Sequence, residues 1–257
     1  MKTKAPRQRL GWMPDLPDHR DHLYAAPPRI IAKLPSSVDL RKQCPPVYDQ
    51  GNLGSCTANA IGGAVQFEQM KQKEKSFVPS RLFIYYNERV MEHSIHSDNG
   101  AQIRDGIKSV NKLGVCSEKV WTYDDGPKKF IQKPSAPCYT EALKNQVVSY
   151  QRLVQNLVQM KSCLASGYPF VFGFTVYDNM YDPSVTKTGH LTLPSAKDKP
   201  EGGHAVMAVG YDDKNQWFII RNSWGSDWAL KGYFTIPYSY ITDNNLADDF
   251  WTIRLVE

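Results

Sequence analysis

A cysteine, a histidine and an asparagine stand in local settings suited to nucleophilic catalysis. Cys56 lies in the glycine-rich stretch DQGNLGSCTANA, residues 49–60. His204 lies in GGHAVMAVGY, 148 residues further on (204 − 56), and Asn222 lies in RNSWG. A thiol becomes an effective nucleophile when a base takes its proton and a third group holds that base in one tautomer. The three residue types occur here in that order. A free cysteine is more often a small buried hydrophobe, so Cys56 alone decides nothing. Its setting does. Apolar residues at 58, 61 and 65 mark a helix that begins at Ser55 or Cys56 and runs through Met70, and a helix N-terminus lowers a thiol pKa. Gln50, six residues before Cys56, can donate a side-chain amide hydrogen to a developing oxyanion, with the Cys56 backbone N–H as a second donor. Asn222 can accept from the imidazole and fix its tautomer without adding a charge, and Trp224 can cover that bond from water. The two glycines before His204 allow another backbone to come close.

The elements that must position these groups change character along the chain. Helices are expected over 55–70, 79–92, 103–113 and 153–164, the second with Ser80 as a cap, the third stopped by Gly114, and the fourth ended by Gly167 and Pro169. Strands are expected over 170–176, 204–211, 216–221 and 232–236, with a hairpin turn at 212–215. Helices followed by strands suggest an α+β protein, a helical lobe against a β-rich lobe, with the cysteine and the histidine on opposite walls of the cleft between them. Residues 1–33 are rich in proline, arginine, aspartate and histidine, and weakly periodic. They are expected to form an N-terminal extension or short pro-segment ahead of a domain over 34–257, with a helical lobe mostly within 50–150 and a β-rich lobe mostly within 165–257.

The chain has 257 residues and a net charge of +5 from 31 basic and 26 acidic side chains, scattered rather than clustered. No nucleic-acid footprint is expected from that pattern. The five cysteines form no C-x-x-C pair, and His19/His22 and His93/His96 lack a third ligand of matching spacing, so neither a metal nor another cofactor is expected. No apolar leader or membrane-length run is visible, which suggests a cytoplasmic protein or one exported without a signal peptide, with no membrane partner and a monomeric state.

The blocks QGNLGSC, GGHAVMAVGY and NSWGSDWALKGY, with VDLR ahead of them, resemble the signature segments of papain-like cysteine peptidases, peptidase family C1. The resemblance extends from about Leu34 to the C-terminus. It implies a two-lobed fold with a helical left lobe and a β-barrel-like right lobe. It implies Cys56 as nucleophile, His204 as base, Asn222 as orienting residue, and Gln50 with Cys56 as the oxyanion hole. It further implies that Gly100 and Ala101 pair with an extended substrate backbone, that Gly203 offers its carbonyl beside the histidine, that Gly173 floors the S2 pocket, and that Trp224 shields the site. The chain departs from the family at several positions. Thr57 stands in place of an aromatic residue. Leu53 and Asp98 stand where the family has a disulfide, and Ala101 replaces a second glycine. The long helical pro-region is not expected within the roughly 33 residues ahead of the domain, and in these features the chain resembles bacterial or archaeal members.

Three activities fit this constellation. The first is a cysteine peptidase, an endopeptidase acting on protein or peptide substrates through a thioester acyl-enzyme. The second is an acyltransferase or amidase with the same triad. The third is a catalytically silent binding module. The proline-rich extension has two expected roles. It lies over the cleft as an intramolecular inhibitor, or it packs behind the lobes through Trp12, Leu16 and Leu23.

Overall fold

A computed structural model describes residues 7–257. Its helices are α1 (Pro28–Ile31), α2 (Cys56–Gln72), α3 (Arg81–Met91), α4 (Ile103–Leu113), α5 (Ala136–Ala142), α6 (Leu157–Ala165), α7 (Pro183–Thr188) and α8 (Tyr238–Ile241). Its strands are β1 (Ser37–Asp39), β2 (Val147–Arg152), β3 (Phe170–Tyr177), β4 (Pro200–Asp212), β5 (Trp217–Arg221), β6 (Tyr233–Pro237) and β7 (Ala247–Val256). The fold class is α+β, as expected.

The strands form one antiparallel sheet in the order β2-β7-β3-β4-β5-β6, with β1 on β4. Among the described residues this path does not close on itself, so the expected barrel-like lobe is an open sheet. Its inner face is aromatic. Phe170, Phe172 and Phe174 alternate along β3 and meet Phe218, Phe250 and Phe234, with ring centroids 5.5–6.1 Å apart. β4 is the longest strand, and its continuous buried run from His204 to Tyr211 holds the histidine rigidly against β3, where His204 pairs with Phe174.

Helix α2 is buried on every side from Cys56 to Gln69, which makes it the axis on which the lobes meet rather than an amphipathic surface helix. α3 starts where expected in kind, its N-cap Ser80 accepting from the Phe83 amide at 3.2 Å. α4 agrees with the expected span. The expected helix over 153–164 begins four residues late. Leu153 still belongs to the extended chain, its amide bonded to the Phe250 carbonyl at 2.7 Å, and Asn156 caps the helix by accepting from the amides of Val158 and Gln159.

The N-terminal extension divides in two; residues 1–6 of it lie outside the described residues. Its second half is anchored. The Tyr24 amide bonds to the Arg152 carbonyl and the Arg152 amide to the His22 carbonyl, both at 2.8 Å. The buried Arg104 guanidinium holds Asp21 through two hydrogen bonds of 3.0 and 2.5 Å. Leu16 and Leu23, which the second of the two expected roles would pack behind the lobes, are 71% and 59% exposed. The first half runs elsewhere, into the cleft.

No helix among the described residues is long and apolar enough to cross a membrane.

Candidate active site

Cys56 is the first residue of α2, and His204 lies on the first turn-in of β4 toward the core. Both are fully buried. The backbone amides of Ala205, Gly11 and Thr57 approach the Cys56 sulfur as hydrogen-bond donors. Asn222 follows β5. Its Oδ1 accepts from the Ser223 amide at 2.8 Å and lies 2.8 Å from His204 Nε2. An oxygen that already accepts a backbone N–H fixes the orientation of the amide, so Nε2 is the donor in the His204–Asn222 bond. The remaining nitrogen, Nδ1, is buried without a hydrogen-bond partner and is the ring's proton acceptor. Trp224 stacks on the imidazole at 4.9 Å between centroids, and Tyr181 stacks on Trp224 at 6.0 Å. This indole therefore packs the histidine in place.

Gln50 is held at both ends. Its backbone amide bonds to the Ser223 carbonyl at 2.9 Å, and its Oε1 accepts from Ser223 Oγ at 2.7 Å. The side-chain Nε2 is thereby turned outward. It donates to the Leu53 carbonyl and to the Arg9 carbonyl, each at 2.9 Å. Ser223 is a residue that sequence reasoning missed, although it sits inside the RNSWG block; it couples the Gln50 loop to the asparagine.

The cleft is occupied by residues 7–16 of the chain. The amides of Gly11 and Trp12 bond to the Gly203 carbonyl at 3.0 and 2.9 Å. The Ala101 amide bonds to the Gly11 carbonyl at 2.8 Å, and the Met13 amide to the Ala101 carbonyl at 3.0 Å, a parallel bridge centred on Trp12. Gly100 has φ +87°, and a Cβ there would overlap the Gly11 carbonyl, so a glycine is required both for the turn and for this approach. The Trp12 indole lies against Gly173 and Gly203, where a Cβ on either would collide with it. Gly100, Ala101, Gly173 and Gly203 are thus brought together by one bound peptide segment.

Asp249 escaped the sequence reading, and Asp98 figured in it only as the residue standing at a disulfide position. Asp249 Oδ2 accepts from Trp12 Nε1 at 3.0 Å and from the Asp15 amide at 2.7 Å, at the inner end of the Trp12 pocket. Burial and the neighbouring Asp15 carboxylate push its pKa up to about 7. Asp98, at one of the positions of the family disulfide, accepts from the Gly54 amide at 2.9 Å and from Tyr85 Oη at 2.5 Å, and its other oxygen pairs with Arg9 Nε at 3.2 Å. All five cysteines are free. A carboxylate therefore ties the Gly54 turn to the 98–101 strip where the family uses a covalent bond. Next to Cys56 in the chain, Thr57 Oγ1 donates to the buried Glu88 carboxyl at 2.7 Å, and burial raises the pKa of that carboxyl well above its ordinary range.

Electrostatically the covered site is neutral. Burial pushes the Cys56 thiol up to about 12 and the His204 imidazole down to about 4. Removal from water penalises both members of a thiolate–imidazolium pair. An open groove of about 960 Å³ is lined by Gln66, Phe77, Val78 and Glu118 and includes none of these groups. The cleft itself is not open, because residues 7–16 fill it.

The family model for papain family cysteine proteases matches residues 34–249. A peptidase C1-like protein of Acanthamoeba polyphaga mimivirus, L477, is 44% identical over all of this chain and 90% of its own length. Pro-cathepsin H of Bos taurus is 26% identical over 79% of this chain and 59% of its own. Among solved structures, xylellain, a cysteine protease from Xylella fastidiosa, superimposes with a TM-score of 0.91 at 46% identity, covering 99% of this chain and 100% of that one. The proCathepsin B S9 structure from Trypanosoma congolense shares the fold at a TM-score of 0.77 and 17% identity, covering 97% and 87%. The chain belongs to the papain family of cysteine proteases, peptidase family C1, and is a cysteine-type peptidase.

Proposed function

We propose that the chain hydrolyses peptide bonds through a Cys56–His204–Asn222 triad and a thioester acyl-enzyme, and that residues 7–16 restrain it until they leave the cleft. His204 Nδ1 takes the Cys56 proton as the sulfur attacks the substrate carbonyl carbon. The C=O electron pair moves onto oxygen, and Gln50 Nε2 and the Cys56 amide stabilise that charge. The imidazolium returns the proton to the departing amine nitrogen, the C–N bond breaks, and a thioester remains on Cys56. Water, deprotonated by His204, then attacks the thioester; the carboxylic acid leaves and the thiol is restored. Asn222 keeps Nε2 as donor throughout.

One observation carries this reading. A peptide carbonyl, that of Arg9, already rests 2.9 Å from Gln50 Nε2 in the cleft. The chain's own segment thus occupies the donor that a substrate carbonyl would use. Restraint has two components. The segment fills the backbone sites and the Trp12 pocket, and burial raises the thiol pKa while lowering that of the imidazole, although the Gly11 amide by itself lowers the thiol's. The Cys56 sulfur faces the Gly11 amide, an N–H group that offers it no carbon to attack. The division into an extension over 1–33 and a peptidase domain over 34–257 belongs to this proposal, with 7–16 as the movable part and the stretch around Asp21–Tyr24 as its anchor. The test is hydrolysis of a fluorogenic peptide amide by the full chain and by its Cys56→Ala form. Turnover by the first and none by the second is expected. Turnover that survives in a folded Cys56→Ala protein contradicts the assignment, and a protein that acylates amines without hydrolysing peptides favours the transferase alternative.

A further inference from the structure

An oxyanion hole works only when its donors are fixed before charge develops. The two proposed donors, Gln50 Nε2 and the Cys56 amide, stand at opposite ends of one turn that contains Gly51 and Gly54. Such a turn does not by itself set the separation of its ends. Within it, the Leu53 amide reaches the Gln50 carbonyl only at 3.5 Å. The separation is set from outside. Tyr123 Oη donates to the Gln50 carbonyl at 2.7 Å and lies 2.6 Å from Ser55 Oγ. Asn59 Nδ2 donates to Ser55 Oγ at 3.1 Å and to the Ser55 carbonyl at 2.9 Å. Arg81 Nη1 donates to Asn59 Oδ1 at 3.0 Å and to the Asp49 carbonyl at 2.9 Å, and its guanidinium lies over the Tyr123 ring at 4.0 Å.

The direction of every link is determined. A carbonyl only accepts, a guanidinium only donates, and a hydroxyl has one hydrogen. Tyr123 gives its hydrogen to Gln50, so Ser55 Oγ donates to Tyr123, Asn59 to Ser55, and Arg81 to Asn59. One relay thus joins the residue that carries the first oxyanion donor to the residue immediately before the second. Burial pushes the Tyr123 pKa up to about 12, so the hydroxyl keeps its hydrogen across the neutral range. Arg81 is itself fixed by Glu118 Oε1 at 2.7 Å. The chain beside Tyr123 holds the turn at another point. Asp125 Oδ2 accepts from the Asn52 amide at 2.9 Å, and a Cβ on Gly51 would overlap that carboxylate. We propose, on the basis of the peptidase reading above, that the Tyr123 hydroxyl, held by the Arg81–Asn59–Ser55 relay, positions the Gln50 amide relative to the Cys56 N–H. Tyr123 acts through Gln50 rather than on the substrate. Without the hydroxyl, the carbonyl of the fully buried Gln50 loses its short hydrogen bond. The turn then relaxes, and Nε2 moves away from the point where charge develops.

The experiment takes the full-length Trp12→Ala protein as parent and adds Tyr123→Phe, which deletes only the hydroxyl. With a fluorogenic peptide amide, kcat is expected to fall by about 10–100-fold with KM little changed, the signature of an interaction realised in the transition state. Alkylation of Cys56 by iodoacetamide, a displacement at carbon that forms no oxyanion, is expected not to fall. In a Gln50→Ala parent the same substitution is expected to change kcat by less than about threefold, because the donor it positions is already gone. Ser55→Ala breaks the relay while leaving the Tyr123 ring in place, and decides the matter if Tyr123→Phe folds poorly. It should lower kcat several-fold, an effect again lost in the Gln50→Ala parent. A kcat unchanged by Tyr123→Phe, a loss that persists in full without Gln50, or an equal fall in alkylation overturns the proposal. No turnover by the Trp12→Ala parent overturns the peptidase reading on which it rests.

Discussion

Replacing Trp12 by alanine separates restraint from mere packing. Trp12 is 9% exposed, and its indole is the largest group that residues 7–16 place in the cleft. A buried tryptophan hides about 150–250 Å², worth about 4–6 kcal/mol at ~25 cal/mol per Å² as an upper bound. Measured Trp→Ala losses run about 3–5 kcal/mol. Water refills an open pocket, so the low end applies, and about 3 kcal/mol shifts the balance between closed and open cleft by about 150-fold. Alkylation of Cys56 requires opening, because the sulfur is fully enclosed. Its second-order rate with iodoacetamide, followed by peptide mapping at fixed pH, should therefore rise by up to that factor in Trp12→Ala, levelling off once the open form dominates. Peptide hydrolysis should rise in parallel. An unchanged alkylation rate accompanied by a lower melting temperature refutes the reasoning and makes the segment a structural strap only.

Closure should weaken as pH rises. The Asp249 pKa is raised to about 7 in the closed form, against about 3.9 for an exposed aspartate. Its contribution to closure is fully present below the open-state value and is lost as pH climbs through the closed-state one, by up to tenfold per unit. The Cys56–His204 pair binds one proton whether it is the neutral pair of the closed form or a thiolate–imidazolium pair, so over this window it takes up none on closing. Exchange of the Trp12 amide, corrected for its intrinsic pH dependence, should thus accelerate between about pH 4 and pH 7, with a shallower slope in Asp249→Asn; acceleration toward acid pH contradicts this. Asn222→Ala should lower kcat by less than Cys56→Ala does, because the imidazole keeps its basicity and loses only its orientation. Equal losses would show that Asn222 does more than orient. Asp98→Ala removes acceptors for Gly54, Tyr85 and Arg9. It should lower the melting temperature by several degrees, as a loss of about 1–3 kcal/mol implies, and raise the Cys56 alkylation rate.

The groups proposed to act on the substrate are legible in the sequence because each sits in a local pattern. The helix of Cys56 announces itself by periodicity, the strand of His204 by the run of seven apolar or small residues that follows it, and Gln50 and Asn222 by position within short blocks. Elements defined by distant partners were not legible. β2 is edge-like and half-exposed, and it exists because β7 pairs with it about a hundred residues later. β7 itself, ADDFWTIRLV, carries two aspartates at its start, which reads as a loop until Asp249 is seen to face Trp12. The start of α6 was misplaced because Leu153 is apolar for the sake of the sheet, while the true signal was the Asn156 cap. Asp249 and the anchoring role of Asp98 escaped for the same reason. A lone aspartate carries no local pattern, and only the fold brings it to the turn it pins or the pocket it closes. The extension was expected either over the cleft or behind the lobes. Residues 7–16 take the first course and the stretch near Tyr24 packs on β2, a division that depends on Gly173 and Gly203 leaving room for an indole.

The central claim is that Cys56 is the nucleophile and that its access is governed by residues 7–16. The most direct test titrates the full-length Trp12→Ala protein with a thiol alkylating agent, mapping all five cysteines and assaying residual peptide hydrolysis at each point. Activity is expected to fall in proportion to modification of Cys56 alone. Hydrolysis that persists after Cys56 is fully modified, or that tracks the modification of another cysteine, contradicts the account.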